Sequence, residues 1–415
     1  MKYFSCIVIF LLAVFFVHGF AAAPIVVKPG IDVLCERGFD ILKGKRVGLI
    51  TNPTGITSDM QSTIDILFNA PEVKLVALYS PEHGIRGDID AGKEINGTHD
   101  PRTGLPVYSL YGKTRRPTKD MLQNIDVLVY DIQDIGVRSY TFISTMGLAM
   151  EAAAENKIKF VVLDRPNPLT GDRVAGSMVD LKLKSFISAY QIPYVYGMTA
   201  GELAKMINGE DWLNGSGTCD LTVIPMKGWK RSMWWDETGL TWVPTSPHIP
   251  HSFTTLFCVL TGLLGELGTA NQGVGYTLPF ELVGAPWVDG FALARYLNNL
   301  NMPGVQFRQI SYIPFYKDTT GIRYKGVQIH IIDRNKLNME QVQVAILEAL
   351  VRLFPENNIF DRAKADRVNS FDKAVGTDDI RRALQNGTSV EEILRSMDQQ
   401  RALFMIKREK YLLYE

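Results

Sequence analysis

Between Lys45 and about Leu169 the chain alternates short, wholly apolar runs with longer stretches of helical composition. The runs are "RVGLIT" (46–51), "VKLVALYS" (73–80), "DVLVYDI" (126–132) and "KFVVLD" (159–164). Helices are expected around "DMQSTIDILFNA", near "TKDMLQNI" and over "TMGLAMEAAAEN" (145–156). A strand without polar alternation is buried on both faces, and helices between such strands imply βαβ units in a parallel sheet. The expected fold is therefore α/β: a Rossmann-like, mostly parallel sheet with helices on both faces, over residues 24–197.

Past residue 198 the pattern loosens. "TAGELAKMIN" reads as a helix with a threonine cap and "MEQVQVAILEALVRLF" as an amphipathic helix. "DLTVIPM", "VQFRQISYIPF" and "KGVQIHIID" read as strands with partial alternation. Two further helices follow, the second capped at Thr388 or Ser389. Residues 198–415 are expected to form a smaller α+β C-terminal subdomain that completes a cleft.

Charge removes some partners. Lysine plus arginine and aspartate plus glutamate both number 44 in the 415 residues. A nucleic-acid or anionic-membrane binder carries a basic excess, so neither partner is expected. Residues 1–23 differ in kind: Lys2, an apolar run from Phe4 to about Val17, then small residues through Ala23 read as a secretory signal peptide. The run is short for a bilayer span. A periplasmic or secreted protein, off the membrane after signal cleavage, is expected. Cys35, Cys219 and Cys258 are spaced too widely for a disulfide framework or a zinc ribbon, so at most one bridge can form.

In open parallel sheets, ligands sit outside the carboxyl ends of the strands. Here each predicted strand opens into polar groups. Asn52 and Thr54 follow the first ("NPTG"); Glu82 and His83 follow the second ("SPEHG"), with Arg86 close behind. The third leads into Asp131, Gln133, Asp134, Arg138 and Tyr140 ("DIQDIGVRSYT"), and the fourth ends in Asp164, Arg165 and Asn167 ("DRPNPL"). Any one cluster has a plain explanation, because Asp and Asn after a strand often cap a helix or make an Asx-turn. Four clusters on one rim point to a shared site.

Familiar cofactor signatures are missing. "LYGKTRR" contains Gly-Lys-Thr, but Val107 stands where a P-loop needs glycine, and "GVGYTLPF" lacks a third glycine. No cofactor is expected. His248 and His251 lie in the proline-rich "WVPTSPHIPH". With His83 and a carboxylate they could assemble a zinc site, but the spacing is not diagnostic, and hydrogen bonds to loop carbonyls or substrate hydroxyls are the preferred reading. "GELGTANQGVGYTLPFELVGAPW" (265–287) offers Tyr276 and Glu281 on a loop whose glycines allow close approach to a ligand.

"NPTG", "SPEHG", "DIQDIGVRSYT", "LDRPNPL", "PYVYGMTAGELA", "WVPTSPHIP" and "KREKYLLY", in this order, resemble the exo-β-N-acetylmuramidase family, once known only as a domain of unknown function. The resemblance implies a secreted glycoside hydrolase that removes N-acetylmuramic acid from the non-reducing ends of peptidoglycan fragments. It also implies a cleft between a Rossmann-like part and a smaller C-terminal part, and casts Glu82 as the leading catalytic carboxylate. One segment departs from the family pattern: "GELGTANQGVGYTLPFE" stands where relatives read closer to "EGTNLSVGRGTTxPFE".

Glycoside cleavage uses one carboxylic acid to protonate the departing oxygen and a second group as nucleophile or base. Glu82 suits the first task, with His83 orienting it or contacting substrate. Asp131 and Asp134 are the first choices for the second group, and Glu281 the next. The lactyl carboxylate of a muramyl saccharide calls for a cation, and Arg86, Arg138 or Arg165 could clamp it bidentately. Tyr140 and Tyr276 could pack on the sugar ring, and Asn52, Thr54, Gln133, Asp164, Asn167, His248 and His251 complete the expected binding set. A metal-dependent cell-wall amidase or esterase and a non-catalytic sugar-binding protein are the alternatives.

Overall fold

A computed structural model describes residues 26–82, 84–86, 98–315 and 320–415. The expected signal segment and His83 lie outside these residues. The larger sheet is built from β1 (Arg46–Thr51), β2 (Lys74–Ser80), β3 (Thr98–His99), β4 (Pro106–Ser109), β5 (Val127–Asp131), β6 (Lys159–Leu163) and β7 (Leu221–Ile224). They run in the order β3-β4-β2-β1-β5-β6-β7, with β3 antiparallel to β4 and every other pair parallel. The chain leaves β1 towards β2 and β4, then returns to lay β5 to β7 on the other side. The switch point of this doubly wound sheet lies between β1 and β5, where a crevice opens at the carboxyl ends.

The apolar runs are explained by burial on both faces. Every residue of β5 is buried. Val127 and Val129 share a core with Ile31, Leu34 and Leu67, which come from α1 (Gly30–Glu36) and α2 (Thr63–Asn69). Leu128 and Tyr130 point the opposite way, into a core with Met146 and Leu203 from α3 (Phe142–Glu155) and α4 (Ala200–Gly209). Helix α4 opens with the predicted cap: Thr199 and Glu202 form a reciprocal capping box.

The second body packs α5 (Thr254–Leu267), α6 (Gly290–Asn299), α7 (Met339–Leu353), α8 (Ala365–Val375) and α9 (Asp379–Gln385) with a small antiparallel sheet. That sheet is β8 (Leu282–Ala285), β10 (Tyr324–Ile331) and β9 (Val305–Tyr312), in the order β8-β10-β9. Its core holds Leu260, Leu264, Val283, Val327, Ile346 and Phe371. Helix α10 (Val390–Arg408), capped by Ser389, leads the chain back to the first body, where Phe404 and Tyr411 enter the core under α3 and α4.

Two expectations change. The larger body does not stop at residue 197: "DLTVIPM" supplies β7, which pairs with β6, and residues beyond 403 pack on the same sheet. "TKDMLQNI" forms turns instead of a helix. Leu122 N–H bonds to the carbonyls of Thr118 and Lys119, and Asn124, at φ 63°, ends the coil before a second turn.

A buried guanidinium joins the two bodies. Arg138 donates to the carbonyls of Ser177, Ile192, Ala374 and Val375 and to Ser188 Oγ. Burial without a carboxylate partner lowers its pKa to about 9. Gly376 allows this approach: its φ is +90°, and a Cβ there would stand 2.7 Å from Arg138 Nη2. Nearby, Arg401 of α10 forms a buried ion pair with Glu340 of α7, and Glu340 also accepts Gly176 N–H.

Candidate active site

The four strand-end clusters do converge, and most of their side chains are engaged with one another. Asn52 Oδ1 accepts Thr54 N–H (3.0 Å) and the Thr54 hydroxyl, while Thr54 Oγ1 accepts Gln133 N–H at 2.8 Å. This Asx-turn ties β1 to β5 across the switch point. The Gln133 amide donates to the carbonyls of Asp134 and Pro166, and its Oε1 is buried with no partner among the described residues. Thr54, Gln133 and Arg165 line a small cavity of about 20 Å³, walled on the other side by Trp235, Thr241 and Val243.

Asp131 and Arg165 form a buried bidentate pair, with Nε–Oδ1 at 2.5 Å and Nη2–Oδ2 at 2.9 Å. Asp131 also accepts the Thr63 hydroxyl, and Arg165 donates to Ile56 O. A carboxylate so neutralised is a strut between β5, β6 and α2, so Asp131 does not fit the role of second catalytic group. Arg165 is committed to it, and Arg138 holds the two bodies together. Neither is open to clamp a lactyl carboxylate. Arg86 stays partly exposed and pairs with the buried Asp100.

Asp134 is fully enclosed. Oδ2 accepts Gly136 N–H at 2.7 Å and the Tyr196 hydroxyl, while Oδ1 has no partner among the described residues. Desolvation raises its pKa to about 6, against the opposing pull of Tyr196. Asp164 is equally enclosed and raised to about 6 by burial. It accepts Gly201 N–H at the start of α4, the Thr199 hydroxyl and the Tyr414 hydroxyl, so it organises backbone and not ligand. Asn167 bridges Leu169 N–H and Met198 O in the same way.

Glu82 is different. It emerges half-buried beyond β2, and Thr141 Oγ1 lies 3.5 Å from its Oε2. The Tyr111 hydroxyl hydrogen-bonds it, and burial together with the charge of Glu82 raises that hydroxyl to about 12, so the phenol keeps its proton. Thr141 is also the residue from which α3 starts. Neither neighbour was singled out from the sequence. Tyr111 sits in "LYGKTRR", which draws attention as a failed P-loop, and Thr141 is the last letter of "DIQDIGVRSYT".

A proline-rich loop that packs against the core of the second body closes over this rim. Tyr140, adjacent to Thr141, donates its hydroxyl to Thr245 Oγ1 at 2.9 Å and packs edge-on against Phe142. Thr245 belongs to the proline-rich loop that carries half-buried His248 and exposed His251. His251 stacks on Phe253, and its charge acts on Glu281. Glu281, at the entry to β8, is half-buried; desolvation raises its pKa, opposed by the Gln328 side chain. Tyr276 joins an aromatic group, 5.4 Å from Tyr312 and 6.5 Å from Phe315. Among the described residues no three or more His, Cys, Asp or Glu side chains gather as metal ligands. Cys35, Cys219 and Cys258 are free thiols.

Comparison with known proteins covers both bodies. Residues 47–253 match "Exo-beta-N-acetylmuramidase NamZ, N-terminal" and residues 258–414 match its C-terminal counterpart. The chain is 45% identical over 388 residues to the peptidoglycan beta-N-acetylmuramidase NamZ of Bacillus subtilis, covering 94% of this chain and 91% of that protein. A DUF1343 family protein of Bacteroides fragilis shares the fold with a TM-score of 0.90 at 50% identity, over 95% of this chain and all of its own. A second protein of that family and organism gives 0.73 at 32%, over 94% and 99% of the two chains. With sequence and fold agreeing over both bodies, the chain belongs to the exo-β-N-acetylmuramidase NamZ family.

Proposed function

We propose that Glu82 is the acid that protonates the departing glycosidic oxygen. The reaction is that of a glycosidase: the chain releases N-acetylmuramic acid from the non-reducing ends of peptidoglycan fragments. One observation carries the assignment of Glu82. Of the strand-end carboxylates Glu82, Asp131, Asp134 and Asp164, it alone is partly open, held by two hydroxyls beside the proline-rich loop of Thr245. A general acid needs this combination of partial desolvation, fixed orientation and access to substrate. Glu281, half-buried and facing His251, is the proposed second carboxylate. A peptidoglycan substrate and the signal-like residues 1–23 together support a periplasmic or secreted setting.

The test is hydrolysis of a disaccharide of N-acetylmuramic acid linked to N-acetylglucosamine, with product identity and anomeric form read by NMR. Free N-acetylmuramic acid is expected. Glu82→Gln should fold, by circular dichroism, and lose about 10²–10⁴-fold in kcat/KM. A folded variant at full rate would remove Glu82 from the mechanism. The released anomer then tells whether Glu281 acts as nucleophile or as base.

A further inference from the structure

A groove lies along α3, the helix that starts from Thr141 beside Glu82. Ser144 and Leu148 line it, one and two turns beyond Thr141, so the three share a helix face. The opposite wall is the segment bearing Lys184, Ser185 and Phe186, and Arg115 stands at the end nearer the acid, where its charge acts on Tyr111. Arg115 stands over the Phe186 ring, with Cζ 4.4 Å from the centroid. Lys184 Nζ bonds Asn214 Oδ1 at 2.9 Å. Neither cation forms a close ion pair among the described residues; Glu151, also on the groove wall, feels the charge of Lys184 but is held by Arg116 and Asn214. The Ser144 and Ser185 hydroxyls are buried with no hydrogen-bond partner there.

These features define an occupant. Arg115 and Lys184, neither in a close ion pair, call for carboxylates, two unsatisfied hydroxyls call for amides, and Leu148 and Phe186 call for short apolar side chains. The groove's volume is about 270 Å³, close to the lower end of the ~300–1,000 Å³ of small-molecule sites and more than a three-carbon acid needs. From Thr141 to Leu148 the helix rises about 10 Å, the length of roughly three extended residues. We propose that this groove is a subsite for a short acidic peptide amide-linked to the lactyl group of the sugar held at Glu82. The proposal rests on the muramidase reading and adds that the chain recognises peptide-bearing substrate. Conversion of the lactyl acid to an amide moves the negative charge out along the arm, which is where Lys184 stands.

The test compares kcat/KM for the muramyl disaccharide with a free lactyl acid and for the same disaccharide bearing L-Ala-D-Glu. Three proteins are measured: wild type, Lys184→Glu and Leu148→Trp. The first variant reverses the distal charge and the second fills the groove. In each, the peptidyl substrate should lose about ten-fold or more, while the free disaccharide stays within about two-fold of wild type. Equal losses on both substrates, a loss on the free disaccharide alone, no loss on either, or failure of the wild type to cleave the peptidyl form would overturn the proposal. If the wild type cleaves neither substrate, the muramidase reading itself fails. A misfolded Leu148→Trp leaves the charge reversal to decide.

Discussion

Asp131 and Asp134 lie three positions apart at one strand end and meet different fates. Asp131 is neutralised by Arg165, so Asp131→Asn leaves a buried guanidinium unmatched and should cost about 3–5 kcal/mol in denaturant unfolding. Asp134 has no cation, and its folded pKa of about 6 lies above the ordinary 3.8. An acid with a raised pKa holds its proton longer in the folded state than in the unfolded one. Its penalty is absent below the unfolded pKa and grows as pH rises towards 6, at up to roughly 1.4 kcal/mol per pH unit. Asp134→Asn should flatten the fall in stability between pH 4 and 6, seen as a difference in unfolding midpoints from wild type. At the acid, Tyr111→Phe removes a hydrogen bond that orients Glu82. It should lower kcat by about ten-fold or more with little change in KM. The sequence named nearly all the rim residues but not their pairings, because Asp131 and Arg165 are 34 positions apart and nothing local couples them. Tyr111 and Thr141 escaped notice because their role depends on where the second strand ends relative to α3.

Among the elements, the buried strands were legible because period-free apolar runs have no other stable place. The short pair β3 and β4 was not, since two and four residues at a sheet edge carry too little pattern. Turns over 118–125 replace the expected helix, where Pro117 precedes and Asn124 at positive φ follows. The joint between Arg138 and the end of α8 was invisible for another reason. Arg138 looks like a ligand-binding cation in sequence, and its carbonyl partners at 374 and 375 carry no side-chain signal. That joint is testable at Gly376. Alanine there meets both a φ of +90° and the Arg138 guanidinium, and should destabilise the protein by about 1–3 kcal/mol, measured as a fall in Tm, with the sugar site untouched.

At the scale of the molecule, the family resemblance carried the function, and the α/β class followed from the strand pattern. The expected break at 197 failed because composition changes where α4 begins, while the sheet still lacks β7. The tie between Tyr414 and Asp164 carries this further, since donor and acceptor are 250 positions apart. At ~5–20 residues per second, a ribosome needs roughly 10–50 s to span that interval. Through that time Asp164, just past the end of β6, is short of one hydroxyl, and the core beneath α3 and α4 waits for Phe404 and Tyr411. The larger body is thus complete only when the far end of the chain arrives. A fragment ending at residue 253 should bind ANS and unfold without a sharp transition, although the N-terminal family match is complete within it.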